Sequence, residues 1–227
     1  SVLSKTGGRE ALGLVTAEFK TGNTEMKSFA FNALNNWSDY SASASLYEIV
    51  ASGSANYHDP AFEGYLRQIR TPGLTDDQKL LLLRKIMPFA GSPDKKIKVI
   101  AETGRIKTYP ALFFIGTYLD DQLMSSEAAR AAMNIALPAT GSVSGLYGKI
   151  VKEILEKAIA KLKGAESDYE KEMIRKYLSS MPEGEGFVSM FNGKDLTGWQ
   201  GLVENPVTRA KMKPAEQIGR ASCRERV

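Results

Sequence analysis

The chain has 227 residues, 43% of them hydrophobic and 25% charged, enough apolar material for one ordinary buried core and a smaller second piece. Its formal charge of +4 is concentrated at the end: residues 218–227 hold three Arg and one Glu, and without them 27 basic residues face 25 acidic ones. A single Cys (Cys223) and a single His (His58) exclude disulfides, Cys-based metal sites and two-His metal sites within the chain, and no apolar run approaches the roughly 20 residues that a membrane-spanning helix needs.

From Ser1 to about Met181 the sequence has a helical period almost throughout. Apolar and small residues in Gly7 to Phe19 are followed by a helix over Met26 to Trp37, a break at Ser38 and Asp39, and a helix over Ser45 to Ala51. Asp59 and Pro60 open a helix to Ile69, with Asp59 as cap and Pro60 at the first helical position. Thr75, Asp76, Asp77 and Gln78 spell a capping box before the run to Phe89, and Ser92 with Pro93 opens Asp94 to Thr103. Tyr109 and Pro110 precede Ala111 to Leu119; Asp120 and Asp121 separate it from Ser126 to Leu137; Pro138 stops that helix. Val143 to Leu162 carries one amphipathic stripe, which includes Ile154, and Gly164 separates it from Glu166 to Ser179.

Taken in pairs, these helices predict an all-α fold, an α-solenoid in which each hairpin buries its apolar face on its neighbours. The expected pairs are Met26–Trp37 with Ser45–Ala51, Gln78–Phe89 with Asp94–Thr103, Ala111–Leu119 with Ser126–Leu137, and Val143–Leu162 with Glu166–Ser179. Pro60 to Ile69 is left as an extra helix, so the spacing is irregular. The stretches Gly7 to Phe19, Ser28 to Asp39 and Thr117 to Leu137 resemble HEAT-like repeats.

After residues 182–186, a linker containing Gly184 and Gly186, the sequence FVSMFNGKDLTGW (Phe187 to Trp199) starts a different pattern. Asn192 and Gly193 form a hairpin-type turn signal between apolar flanks, and Phe191 and Trp199 read as core aromatics. Phe191 to Trp199, with Gly201 to Pro214 behind it, resembles the opening of the bacterial 3-keto-disaccharide hydrolase domain family, multidomain members of which place this motif after helical repeats. The resemblance implies a concanavalin-like β-sandwich of which 187–217 is the truncated start. It also implies a parent that cleaves glycosides oxidised at C3: the ketone acidifies the C2 hydrogen, a base removes it, an oxyanion stabiliser holds the enolate while the C1 oxygen leaves, and water then adds. A divalent metal is open to the parent as that stabiliser. The resemblance further implies an extracytoplasmic location.

Residues 218–227 resemble a translated sequencing adapter, an artefact to be set aside before fold reasoning. Read as a nucleic-acid tail on Arg220, Arg224 and Arg226, they lack interleaved aromatics. The domain boundaries are thus 1–181 (helical repeats), 182–186 (linker), 187–217 (hydrolase-like start) and 218–227 (tail), with the chain expected to be an internal piece of a longer protein.

No catalytic, cofactor-binding or metal-ligating residue is assigned. His58 reads as a helix-entry residue, and the pairs Asp76–Asp77 and Asp120–Asp121 as capping and turn features. Gly184 and Gly186 follow a helix, not a strand, and so form no phosphate loop. Tyr109, Phe113, Phe114 and Tyr118 read as core packing, and Trp37 as a wedge between helices. The expected function is an inactive accessory repeat domain of the glycoside-cleaving parent, with a protein or carbohydrate partner on the solenoid surface, or alternatively a non-catalytic scaffold for protein partners. Nucleic acid and a membrane span are not expected.

Overall fold

The computed structural model describes residues 7–139, 144–165, 167–186, 200–202, 206–212 and 218–220. The chain divides into two compact units, Ser1–Phe187 and Val188–Val227.

Among the described residues the first unit is all-α, with ten helices: α1 (Arg9–Thr21), α2 (Thr24–Asn35), α3 (Ser43–Ala51), α4 (His58–Ile69), α5 (Asp76–Ile86), α6 (Pro93–Thr103), α7 (Tyr109–Gly116), α8 (Ser125–Ala136), α9 (Lys149–Lys161) and α10 (Ser167–Ser180), with short 3-10 turns at Tyr40–Ala42 and Met87–Phe89. The start signals work through side chains. Thr75 and Gln78 close a reciprocal capping box on α5, while Ser92 caps α6 by accepting from the Lys95 amide. At α7 the cap is Thr108, one residue before Tyr109, and at α2 it is Asn23. Each cap satisfies an amide that would otherwise lack a partner in the first turn.

Successive helices touch along the chain, and the closest pairings join α1 with α2 and α3 with α4 in the first half and α8 with α9 in the second. The pairing expected from sequence is therefore out of phase by one helix in the first half. Residues 26–37 pair with the helix before them, and the supposedly extra Pro60–Ile69 segment is the second half of a hairpin with Ser43–Ala51. In the phase set by the first two pairings the spacing is 32 to 35 residues through the first four hairpins. First helices start at residues 9, 43, 76, 109 and 149, separated by 34, 33, 33 and 40 residues; second helices start at 24, 58, 93, 125 and 167, separated by 34, 35, 32 and 42.

Every helix also touches the helix two further on. Among the first helices, Thr16 Oγ1 lies 3.0 Å from Ser45 Oγ, the Lys85 ammonium sits 3.9 Å over the Tyr47 ring, the Arg84 guanidinium lies 5.7 Å from the centre of Phe114, and Lys157 bonds Asp120 at 2.5 Å. Among the second helices, Gln68 donates to the Leu34 carbonyl at 3.0 Å, Arg70 Nε to Glu102 at 2.9 Å, Lys107 to the Asn134 carbonyl at 2.6 Å and Arg130 Nε to Glu170 at 2.9 Å. Small residues let the second helices approach. A Cβ on Gly64 would overlap Asn35 Oδ1, and one on Gly104 would sit 3.1 Å from Ala131 Cβ. The core between the two layers is continuous, from Leu34, Leu46, Phe62 and Tyr65 through Leu83, Ile100, Leu112 and Ile115 to Ile135, Leu155 and Ile174.

Three local expectations change. The last long helix starts at Lys149, well after Val143, which lies outside the described residues. Its approach is held extended because the Leu146 amide donates to the Ala136 carbonyl, the Leu146 carbonyl accepts from the Tyr177 hydroxyl, and the Tyr109 hydroxyl bonds both backbone groups of Tyr147. Within the stripe, Val151, Leu155, Ala158 and Leu162 are buried, whereas Ile154 is only half-buried, against Gly116. Helix α4 starts at His58, whose amide donates to the Ser54 carbonyl, so Asp59 falls inside the first turn and caps nothing. The 182–186 segment packs on the helical unit: Gly186 (φ 66°) and Gly148 (φ 106°) meet so closely that a Cβ on either would overlap the backbone opposite.

In the second unit Gln200–Leu202 and Ile218–Arg220 pair antiparallel, with Gly201 opposite Gly219, around a one-turn helix at Pro206–Arg209. The tail, set aside from the fold reasoning, contributes its first three residues to this strand pair; an open backbone edge requires no matching side chains. Phe191–Trp199, with its Asn192–Gly193 turn, lies outside the described residues.

Candidate functional site

His58, the single histidine, is one candidate for acid–base chemistry. Its Nδ1 lies 2.9 Å from Asp59 Oδ1 and 3.5 Å from Lys95 Nζ, and Lys95 also pairs directly with Asp59. Hydrogen bonds from Lys95 and then from His58 hold the Asp59 carboxyl below its ordinary value. A carboxylate stabilised in this way is a weak base, and the Lys95 aliphatic stem lies over the α4/α6 seam with its ammonium 5.8 Å from the centre of Phe62. The trio is an interhelical clamp between α4 and α6.

The paired carboxylates do not converge. Asp76 starts α5 and lies 3.9 Å from Lys79. Asp121 Oδ1 accepts from the amides of Leu123 and Met124 at 2.9 and 3.1 Å, which starts the turn into α8, while Asp120 points the other way to Lys157 and Lys161. Asp120, like Asp59, is held below its ordinary value, chiefly by the Lys157 hydrogen bond. The two acids therefore serve a turn and an interhelical tie.

A cavity of about 200 Å³ opens between the ends of α4 and α6 and the start of α5. It is bordered by Arg70, Lys79, Glu102 and Arg105. Glu102 is buried and takes a two-pronged contact from Arg70 at 2.9 and 2.5 Å, with Arg105 at 3.6 Å. This bonding raises the Arg70 guanidinium further. The Glu102 oxygens are therefore committed to cations from the chain itself. Among the described residues no group of three or more His, Cys, Asp or Glu is placed to hold a metal ion. No helix among them is long and apolar enough to cross a membrane.

The aromatic series on α7 is less buried than its periodicity suggested. Leu112, Ile115 and Leu119 fill the core, and Phe113, Phe114 and Tyr118 lie half-buried on its flank. Phe114 and Tyr118 meet edge to face at 5.3 Å and form the seam to Arg84. Trp37 is buried as expected, with its indole N–H lacking a hydrogen-bond partner. The buried hydroxyls of Tyr65 and Tyr177 donate to the carbonyls of Leu82 and Leu146, and burial pushes both above the ordinary tyrosine value.

The surface feature that sequence reasoning missed is apolar. On the outer side of α1 and α2, Leu14 (70% exposed), Phe29 (60%) and Met26 (43%) stand around a groove of about 270 Å³ whose floor includes Val15, Ala30 and Ala33. A helical wheel counts such residues as core. Compared with known proteins, the chain matches no family, no curated protein and no solved structure.

Proposed function

We propose that residues 7–186 form a HEAT-like α-solenoid that serves as a non-catalytic accessory domain in a bacterial glycoside-cleaving protein acting on 3-keto sugars. The observation that supports the solenoid is the ladder between helices two apart, carried through both layers at a spacing of 32 to 35 residues over four hairpins, then 40 and 42. In such an array each hairpin buries its face only on its neighbours. The catalytic role of the parent rests on the FNGKDLTGW motif and on its place after the repeats. Its β-sandwich, its extracytoplasmic location and the use of a divalent metal follow from the same resemblance.

The candidates read from the sequence do not supply what C2 deprotonation requires: His58 and Asp59 are engaged with Lys95, Asp120 with Lys157, and Asp121 with the amides of Leu123 and Met124. The chain as it stands should therefore leave a 3-keto-glycoside such as 3-keto-trehalose intact, and the full gene product should release the free sugar. Turnover by this chain would place the chemistry in the helical unit. Inactivity of the full gene product across several 3-keto substrates with divalent metals added would favour the second reading, a binding scaffold, for which the uncovered apolar face on α1 and α2 is the specific support.

A further inference from the structure

Arg105 has a counterpart one repeat earlier, and the comparison shows what Arg105 lacks. Helix α4 starts at residue 58 and α6 at 93, an offset of 35, so Arg105 stands where Arg70 stands in the preceding hairpin. Arg70 grips Glu102 of the next second helix with two prongs. Helix α8 starts at 125, an offset of 32 from α6, so the position equivalent to Glu102 is Asn134. Asn134 carries no carboxylate, and its backbone carbonyl accepts from Lys107. Arg105 is thus left without the acidic partner that its counterpart has. Its side chain is 70% exposed and its Nε stands 3.6 Å from Glu102, beyond hydrogen-bond distance, on the border of the cavity between α4, α5 and α6.

Charge and shape at that cavity suit a small anion. Arg70, Lys79 and Arg105 bring three positive charges to its lining against Asp76 and Glu102. Glu102 is matched by Arg70, and Lys79 reaches Asp76 only at 3.9 Å, which leaves one positive charge over. A guanidinium presents five N–H donors; Arg70 spends two on Glu102, and Arg105 spends none there. Such a planar fork matches a carboxylate in two-pronged form, as Arg70 and Glu102 do within the chain. The rest of the lining is apolar, with Ile69, Leu83 and Ile106 all buried, and accepts a carbon skeleton. At about 30 Å³ of liquid per water, a volume of about 200 Å³ corresponds to about seven waters, the scale of one acid group on a short skeleton. Asp76 and Glu102 in the same lining weigh against a ligand of higher negative charge.

We propose that this cavity binds a small organic monocarboxylate, with the acid group held by Arg105 and Lys79 and the skeleton against Ile69, Leu83 and Ile106. The proposal rests on the packing of α4, α5 and α6 and is independent of the hydrolase motif. It is tested on the whole chain by following backbone amide and arginine Nε resonances while butyrate, lactate or glucuronate is added through the millimolar range, with butanol and glucose as uncharged controls and inorganic phosphate as the competing oxyanion. At least one of the three carboxylates should shift the signals of residues 76–79 and 102–106 saturably, and the uncharged controls should not. Arg105→Gln and Lys79→Gln should each weaken that binding by about tenfold or more, with the resonances of α1 to α3 unchanged. Arg175→Gln, which removes an exposed cation remote from the cavity lining, should leave it as in the wild type. The proposal is overturned if none of the carboxylates shifts those signals, or if the uncharged controls shift them equally. It is also overturned if Arg105→Gln has no more effect than Arg175→Gln, which would mean a diffuse response to ionic strength, or if phosphate binds more tightly than every carboxylate.

Discussion

Truncating Leu155 to Ala tests the solenoid and the register of α9 together. Leu155 has no exposed surface and belongs to α9, whose closest neighbour is α8. Removing three buried carbons from such a site costs about 3 kcal/mol, within the 2 to 5 typical of core Leu→Ala changes. In a globular domain that loss would be shared by the whole cooperative unit. In a stack whose hairpins touch only their neighbours it should fall on the last hairpin, so α9 and α10 open locally while α1 to α4 stay closed. At about 1.4 kcal/mol per decade, amide exchange by mass spectrometry should show protection in α9 and α10 falling by about two orders of magnitude. Protection in α1 to α4 should be unchanged. Ile154→Asp makes the contrast: Ile154 is half-buried, and a carboxylate there can turn toward water, so its cost should be about 1 to 2 kcal/mol. If Leu155→Ala lowers protection equally in every helix, the unit is one cooperative globule and the solenoid reading fails. If α9 and α10 keep their protection, Leu155 is not in the seam.

Acid should loosen the clamps between helices two apart. Asp59 and Asp120 are both held below the ordinary value of 3.8, so each contributes stability above that value and loses it as the pH falls through its folded value; a melting series below about pH 4 should decline less steeply in an Asp59→Asn, Asp120→Asn double variant, and an identical acid limb would refute the role of the clamps. Deleting residues 218–227 removes one strand of a three-residue pair, which is marginal in isolation, so the melting temperature of the helical unit should move by no more than about 1 °C; a fall of about 5 °C, on the order of 1 to 2 kcal/mol at this size, would show that the tail packs against something substantial.

What the sequence made legible was the part written in local chemistry. Thr75 with Gln78, and Ser92 with Pro93, mark their helix starts because a cap and its amide lie three residues apart. The phase of the hairpins was not legible. The break at Ser38 and Asp39 looks like a hairpin turn, yet the closer packing runs through Gly22–Asn23 on one side and through Ser52–Tyr57 on the other. Phase is set instead by which faces can approach, and that depends on pairs about a repeat apart, such as Gly64 against Asn35 or Gln68 on the Leu34 carbonyl. No local pattern announces such a pair; the 32-to-35-residue period of the first four hairpins emerges only after the partners have been chosen. The same reasoning explains the groove on α1 and α2. Leu14 and Phe29 carry the signature of core residues, and in a repeat array a core residue and an interface residue are the same position seen with and without a neighbour. Aligning the first hairpin on the second at an offset of 34 would have exposed the difference, because Glu48 and Arg67 tie a neighbour by polar bonds at positions where Leu14 and Ala33 can offer only apolar surface.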